Sequence, residues 1–233
     1  MQKRFLQDFD FKDIHYYVIL LSAPVLLTIY RYHGYPGTLD FVYDFGLPPD
    51  QAARIMQFAV FFFLTFIIPV LYIKLVMRRK LTDFGLGPGD WRTGIKFFIM
   101  IPLLVVPVLY FATDTPGIRA EYPLAKSLLT DRSHLLVYEL LYVLLYYVAW
   151  EFYFRGFLLF GLKDRFGAFN AVLIQTISSC LVHIGKPESE IAGSILAGIV
   201  FGLIALRTKS IWYVFVLHAT VGILTDIFII YGK

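Results

Sequence analysis

One cysteine, Cys180, stands in a chain of 233 residues. An internal disulfide framework is therefore excluded, and neither CxxC nor zinc-ribbon spacing exists. Charge is scarce too: 16% of residues are charged, against roughly 25% in soluble domains. No HExxH, GxGxxG or GxxxxGK[ST] spacing occurs, so metalloprotease, dinucleotide and phosphate-loop chemistry lack their local motifs. No small-residue cleavage site follows a short apolar core at the N-terminus, which predicts no cleaved signal peptide. What is abundant is hydrophobic: 58% of residues, 18% aromatic, with mean hydropathy +0.69. The chain reads as a polytopic membrane protein whose first solvent is the lipid bilayer. Net charge is +4, but the basic residues sit at the ends of apolar segments, where topology requires them. Nucleic acid is not an expected partner.

Seven apolar segments can be drawn, at about 14–31, 53–77, 94–112, 134–163, 167–184, 190–206 and 210–231. Each is near the ~20 residues that a helix needs to cross ~30 Å of hydrocarbon, and helix is close to obligatory at that depth. The expected fold is all-α, a polytopic transmembrane bundle of about seven spans. The fourth segment is long enough to need tilt or a break, and Pro24, Pro69, Pro102 and Pro107 predict kinks. Alternate loops are basic: Lys3, Arg4 and Lys12, then Arg78, Arg79, Lys80 and Arg92, then Lys163 and Arg165, then Arg207 and Lys209. The others are acidic or mixed, with Asp40, Asp44 and Asp50 in one and Asp114 to Asp131 in another. The positive-inside rule then places the N-terminus in the cytoplasm and Lys233 outside. The glycine-rich turn from Leu81 to Trp91 reads as a tight interfacial loop with Trp91 at headgroup level. Gly193, Ala197, Gly198 and Gly202 would permit close helix approach.

Inside the fourth segment lie Glu151 and Arg155, four apart and thus on one helical face. Either charge at membrane depth costs roughly 2.5–3.5 kcal/mol on insertion scales. His183 on the fifth segment and His218 and Asp226 on the seventh are the next polar groups at that depth. With ~1.5 Å of rise per residue, Arg155 and His218 lie about 12 Å above the cytoplasmic ends, Glu151 about 18 Å, and His183 and Asp226 about 24 Å. A carboxylate and an imidazole sharing a water can act as general base; a second imidazole can donate to an oxyanion. Peptide hydrolysis by activated water needs no serine or cysteine nucleophile. A zinc site built from Glu and His is the neighbouring possibility, and a proton relay of buried carboxylates and histidines is another. Glu190 reads as a helix-start charge and a reserve carboxylate, whereas Glu139 stands about 18 Å along the axis from Glu151. Tyr146 and Tyr147, one turn before Trp150 and Glu151, are placed to donate to the carboxylate.

Glu151-Phe-Tyr-Phe-Arg155-Gly156, then His183, then Gly198 to Gly202, then Arg207-Thr-Lys-Ser210-Ile-Trp212 leading to His218 together resemble the CPBP family. These are the CAAX proteases and bacteriocin-processing enzymes, glutamic-type intramembrane endopeptidases. The Asp83-Phe-Gly-Leu86 turn is similar to that family's loop ahead of its core. The resemblance divides the chain into residues 1–80, which it does not cover, and a protease-like core over 81–233. It implies a membrane-associated protein or peptide substrate, a multi-pass location in a bacterial cytoplasmic membrane, and no cofactor, with a divalent metal left open. The family's EExxxR motif has Trp150 in place of its first glutamate. Ser179 replaces Phe in FxxxH, and Gly222 replaces Asn or Asp in HxxxN/D. Carried over, Glu151 with His183 would activate water, Arg155 would orient the carboxylate, and His218 with Asp226 would stabilise the oxyanion. The competing expectation is a catalytically inactive immunity or scaffold protein of the same family.

Overall fold

The computed structural model describes residues 9–38 and 46–232. Lys3, Arg4, Asp40, Asp44 and Lys233, used above for orientation, lie outside the described residues. Helices are the only regular structure among the described residues. In chain order they are α1 (Phe11–His33), α2 (Pro49–Val76), α3 (Trp91–Ala112), the short α4 (Pro116–Glu121), α5 (Leu135–Phe166), α6 (Ala168–Val182), α7 (Glu188–Thr208) and α8 (Trp212–Tyr231). Six are long and apolar enough to cross a membrane, which makes this a multi-pass integral membrane protein. The fifth of the seven expected spans, over 167–184, corresponds to α6, whose 15 residues fall short of the ~20 needed.

Polar contacts gather the helix ends into two groups. At one end Arg165 pairs with Asp13 at 2.9 Å, and the Asp90 amide donates to the Thr208 carbonyl at 2.7 Å. At the other, the Ser127 amide donates to Asp50 at 2.8 Å. There too, Lys186 pairs with Glu121 at 2.6 Å and Arg132 donates to the Ile230 carbonyl at 2.8 Å. α6 therefore runs the height of the bundle despite its shortness, joining the end at Arg165 to the end at Lys186.

α5 is the central post. Phe152, Tyr153, Phe154, Leu158 and Leu159 are fully buried, packed with Ile19 of α1, Phe61 of α2 and Val172 of α6. Its 32 residues form one continuous helix, but two stretches, Tyr142–Tyr147 and Phe152–Phe160, are wound as the wider π-helix. In that form each amide reaches the carbonyl five residues back, a distortion concentrated at functional sites. In α2, Pro69 likewise sits between two π-wound stretches, where the missing proline donor fits. α3 is the peripheral helix: none of its most apolar window is buried, as expected for a helix facing lipid.

The glycine-rich turn does more than bridge α2 and α3. Its carbonyls are held by the α7–α8 connection. Ile211 N donates to Gly85 O at 3.0 Å, and Trp212 Nε1 to Leu86 O at 3.1 Å. Ser210 Oγ donates to Gly87 O at 2.7 Å and Tyr213 Oη to Pro88 O at 2.7 Å. Phe84 is fully buried, and its carbonyl would stand 2.8 Å from a Cβ on Gly156. Gly156 thus lets the turn press against α5 one residue past Arg155. Trp91 is 57% exposed, in keeping with an interfacial position. Of the small residues on α7, Gly198 and Gly202 do admit α6: Cβ atoms there would stand 2.8 Å from Thr176 and 2.9 Å from Gln175. Gly193 faces open space.

Candidate active site

Glu151 is fully buried on α5, and its partner is on α8. Its Oε1 lies 2.6 Å from His218 Nδ1, a length typical of a charge-assisted bond. Arg155 Nη1 approaches the same oxygen at 3.4 Å, longer than a charge-assisted bond of about 2.7–2.9 Å. Arg155 is 2% exposed, and its guanidinium also lies over the Phe201 ring, 5.7 Å from the centroid. Glu151 Oε2, Arg155 Nε and Arg155 Nη1 make no hydrogen bond. The carboxylate thus takes its closest contact from the imidazole and its countercharge from the guanidinium. An ionised carboxylate can only accept, so Nδ1 of His218 is the donor in this bond. The His218 side chain is 21% exposed, which gives the imidazole a way out of the core.

His183 caps the end of α6. Its Nδ1 lies 2.9 Å from the Ser179 carbonyl, which can only accept, so Nδ1 is protonated and Nε2 is the free acceptor. The carbonyl that fixes this tautomer belongs to the backbone, so serine at 179 orients the imidazole as well as another residue would. Trp150 packs against both histidines in T-shaped geometry, with ring centroids 5.2 Å from His183 and 5.9 Å from His218. It is 2% exposed, and its indole N–H has no acceptor. Glu151, Arg155 and His218 are thus brought together directly, and His183 is linked to them through its ring contact with Trp150.

Asp226 is placed differently. It lies two turns beyond His218, about 12 Å along the axis, and its carboxyl neighbours that of Glu139 on α5. Both groups are buried, and none of their four oxygens meets a hydrogen-bond donor within ordinary distance. Glu190, the reserve carboxylate, accepts from Tyr122 Oη at 2.7 Å, tying the α4 connection to the start of α7. Among the described residues no three of His, Cys, Asp and Glu gather as a metal-ion cage.

Sequence reasoning did not single out Phe201, or the true setting of Tyr147. The Tyr147 ring packs on His218 with centroids 4.8 Å apart, and Phe201 covers the imidazole at 5.8 Å. Tyr147 also fills the volume that a side chain at 222 would occupy: a Cβ on Gly222 would overlap the phenol oxygen and stand 2.9 Å from Cε2. A glycine where the family motif has a polar side chain was the signal that something else occupies that space.

Residues 132–224 match the family model described as type II CAAX prenyl endopeptidase Rce1-like. No curated protein and no solved structure matches the chain. The matched stretch begins just before α5 and ends within α8, enclosing Glu151, Arg155, His183 and His218. Residues 132–224 thus carry an Rce1-like CAAX protease domain.

Proposed function

We propose that the chain is an intramembrane endopeptidase that hydrolyses a peptide bond of a membrane-associated substrate with a water activated by the Glu151–His218 pair. The observation that carries this reading is the 2.6 Å contact between a fully buried carboxylate oxygen and Nδ1 of a partly exposed imidazole. Such a carboxylate holds the imidazole in one tautomer and stabilises the imidazolium once a proton is taken. His218 Nε2 would take the proton from water, and Glu151 would meet the resulting charge. Arg155 supplies the positive charge nearest the carboxylate, at 3.4 Å. His183 meets the pair only through the Trp150 ring and would line the path of the substrate rather than take a step at the water. In this scheme Asp226 has no step, because its carboxyl faces Glu139. The core that performs the reaction would be residues 81–233, with 1–80 adding α1 and α2 as support. The basic end of the bundle would face the cytoplasm.

One observation favours a second reading, a non-catalytic immunity or scaffold protein. The indole of Trp150 packs against both imidazoles, and its bulk takes room that a substrate carbonyl would need beside them. The deciding experiment uses the full chain in nanodiscs with a farnesylated fluorogenic peptide ending in a CAAX sequence. Cleavage by the wild type that falls by about 10²–10⁴ in Glu151→Gln and in His218→Gln, with gel-filtration profiles unchanged, supports the peptidase. A folded wild type with no turnover leaves the scaffold.

A further inference from the structure

Gly222 follows His218 by four residues on α8, so the two positions share a face, with Cβ sites about 5–6 Å apart. Gly222 projects nothing from that face. Tyr147, reaching across from α5, does: its phenol oxygen occupies the site of the absent Cβ. The ring is 5% exposed and packs against the His218 ring at 4.8 Å and the Tyr142 ring at 4.7 Å. A buried side chain packed against two rings keeps one rotamer, so its hydroxyl is a fixed group at Gly222, one helical turn from His218. A phenol can donate as well as accept. Two other donors lie close, but the Arg155 guanidinium serves Glu151 and the Trp150 N–H is enclosed. Tyr147 alone adds a hydroxyl to the face that carries the imidazole.

We propose that Tyr147 donates the hydrogen bond that stabilises the tetrahedral oxyanion formed at the Glu151–His218 pair, an assignment that rests on the endopeptidase reading above. His218 Nε2 removes a proton from water as the water oxygen bonds to the carbonyl carbon. The electron pair of the C=O π bond moves to the carbonyl oxygen, which accepts from Tyr147 O–H. The pair returns as the C–N bond breaks, and the proton on His218 passes to the leaving amine nitrogen.

The test compares kcat and KM for the farnesylated peptide. Tyr147→Phe keeps the ring against His218 and Tyr142 and removes only the hydroxyl. kcat is expected to fall by about 10²–10³, the usual effect of deleting one oxyanion donor, with KM and the thermal midpoint unchanged. A purely space-filling ring would leave kcat as it was. The double variant Tyr147→Ala with Gly222→Asn returns a donor to the vacated volume from α8, and is expected to exceed Tyr147→Ala by about tenfold or more. If the wild type cleaves and Tyr147→Phe keeps its kcat, the donor assignment is overturned while the peptidase stands. If Tyr147→Phe fails to fold, the swap decides, and no gain over Tyr147→Ala overturns the assignment. If the folded wild type does not cleave at all, both readings fall.

Discussion

Replacing Gly222 with alanine sets two opposed effects against each other, and the structure says which should win. In a helix interior glycine is less favourable than alanine by about 0.8–1.0 kcal/mol, so at an open position the change stabilises. Here the new methyl would overlap the Tyr147 phenol oxygen and stand 2.9 Å from Cε2. The ring cannot slide aside freely, because His218 and Tyr142 pack against it. Overpacking of this kind costs about 1–3 kcal/mol. The sum is a loss of up to about 2 kcal/mol after the helix gain is subtracted. In a Tyr147→Ala background the obstacle is gone and only the helix term remains, so the same substitution should stabilise by about 1 kcal/mol. Reversible unfolding in mixed dodecyl maltoside and SDS micelles measures all four corners of this cycle. A reversal of sign between backgrounds is the expected result. If Gly222→Ala stabilises equally in both, the phenol does not occupy that volume, and the inference built on it collapses.

Two further substitutions probe the surroundings. Arg155→Met removes the countercharge of a buried carboxylate, which costs about 3–5 kcal/mol in buried pairs. The long 3.4 Å contact points to the lower end, and adding Glu151→Gln should recover most of the loss. Equal instability of the single and double variants in the same micelle titration would contradict the pairing. Gly89 adopts φ +57°, and a Cβ there would overlap the Thr208 carbonyl. Gly89→Ala is therefore expected to lower stability by about 1–3 kcal/mol from backbone strain alone. Gly87→Ala, whose nearest contact is 3.4 Å from Thr82, should be close to neutral. Thermal unfolding of the two variants side by side checks this, and equal midpoints would mean that the turn is not clamped to the α7–α8 connection.

All the long helices were legible in the sequence, because apolar runs of membrane length leave the backbone few alternatives. The family was legible from the order of Glu151, Arg155, His183 and His218. Axial height was legible in part: a near-constant rise set His218 level with Arg155 and left Glu151 about 6 Å from the levels of both histidines, so height did not choose between them. Azimuth was not. A helix drawn at one uniform pitch misplaces faces once Phe152–Phe160 winds wider. Tertiary packing, which no single segment encodes, then decided that Glu151 meets His218 and that Asp226 faces Glu139. The glycine-rich turn showed the same limit. Its glycines announced a tight loop, but its partners at Ser210, Ile211, Trp212 and Tyr213 lie more than a hundred residues away. Trp150 read as a departure from a motif, and only its position against two imidazoles shows what the departure does.

The short α6 carries one more consequence, for the lipid rather than the protein. Fifteen residues rise only about 22 Å, yet the helix connects the two polar ends of the bundle, and His183 sits at its terminus. Hydrocarbon about 30 Å thick overshoots that length by about 8 Å, a hydrophobic mismatch that the bilayer must relieve by pinching inward beside α6. The pinch would bring headgroups and water down toward His183 without any channel through the protein. Bilayer thickness thereby becomes a control on the site: short-chain lipids would match α6, and thick, sterol-rich ones would be strained by it.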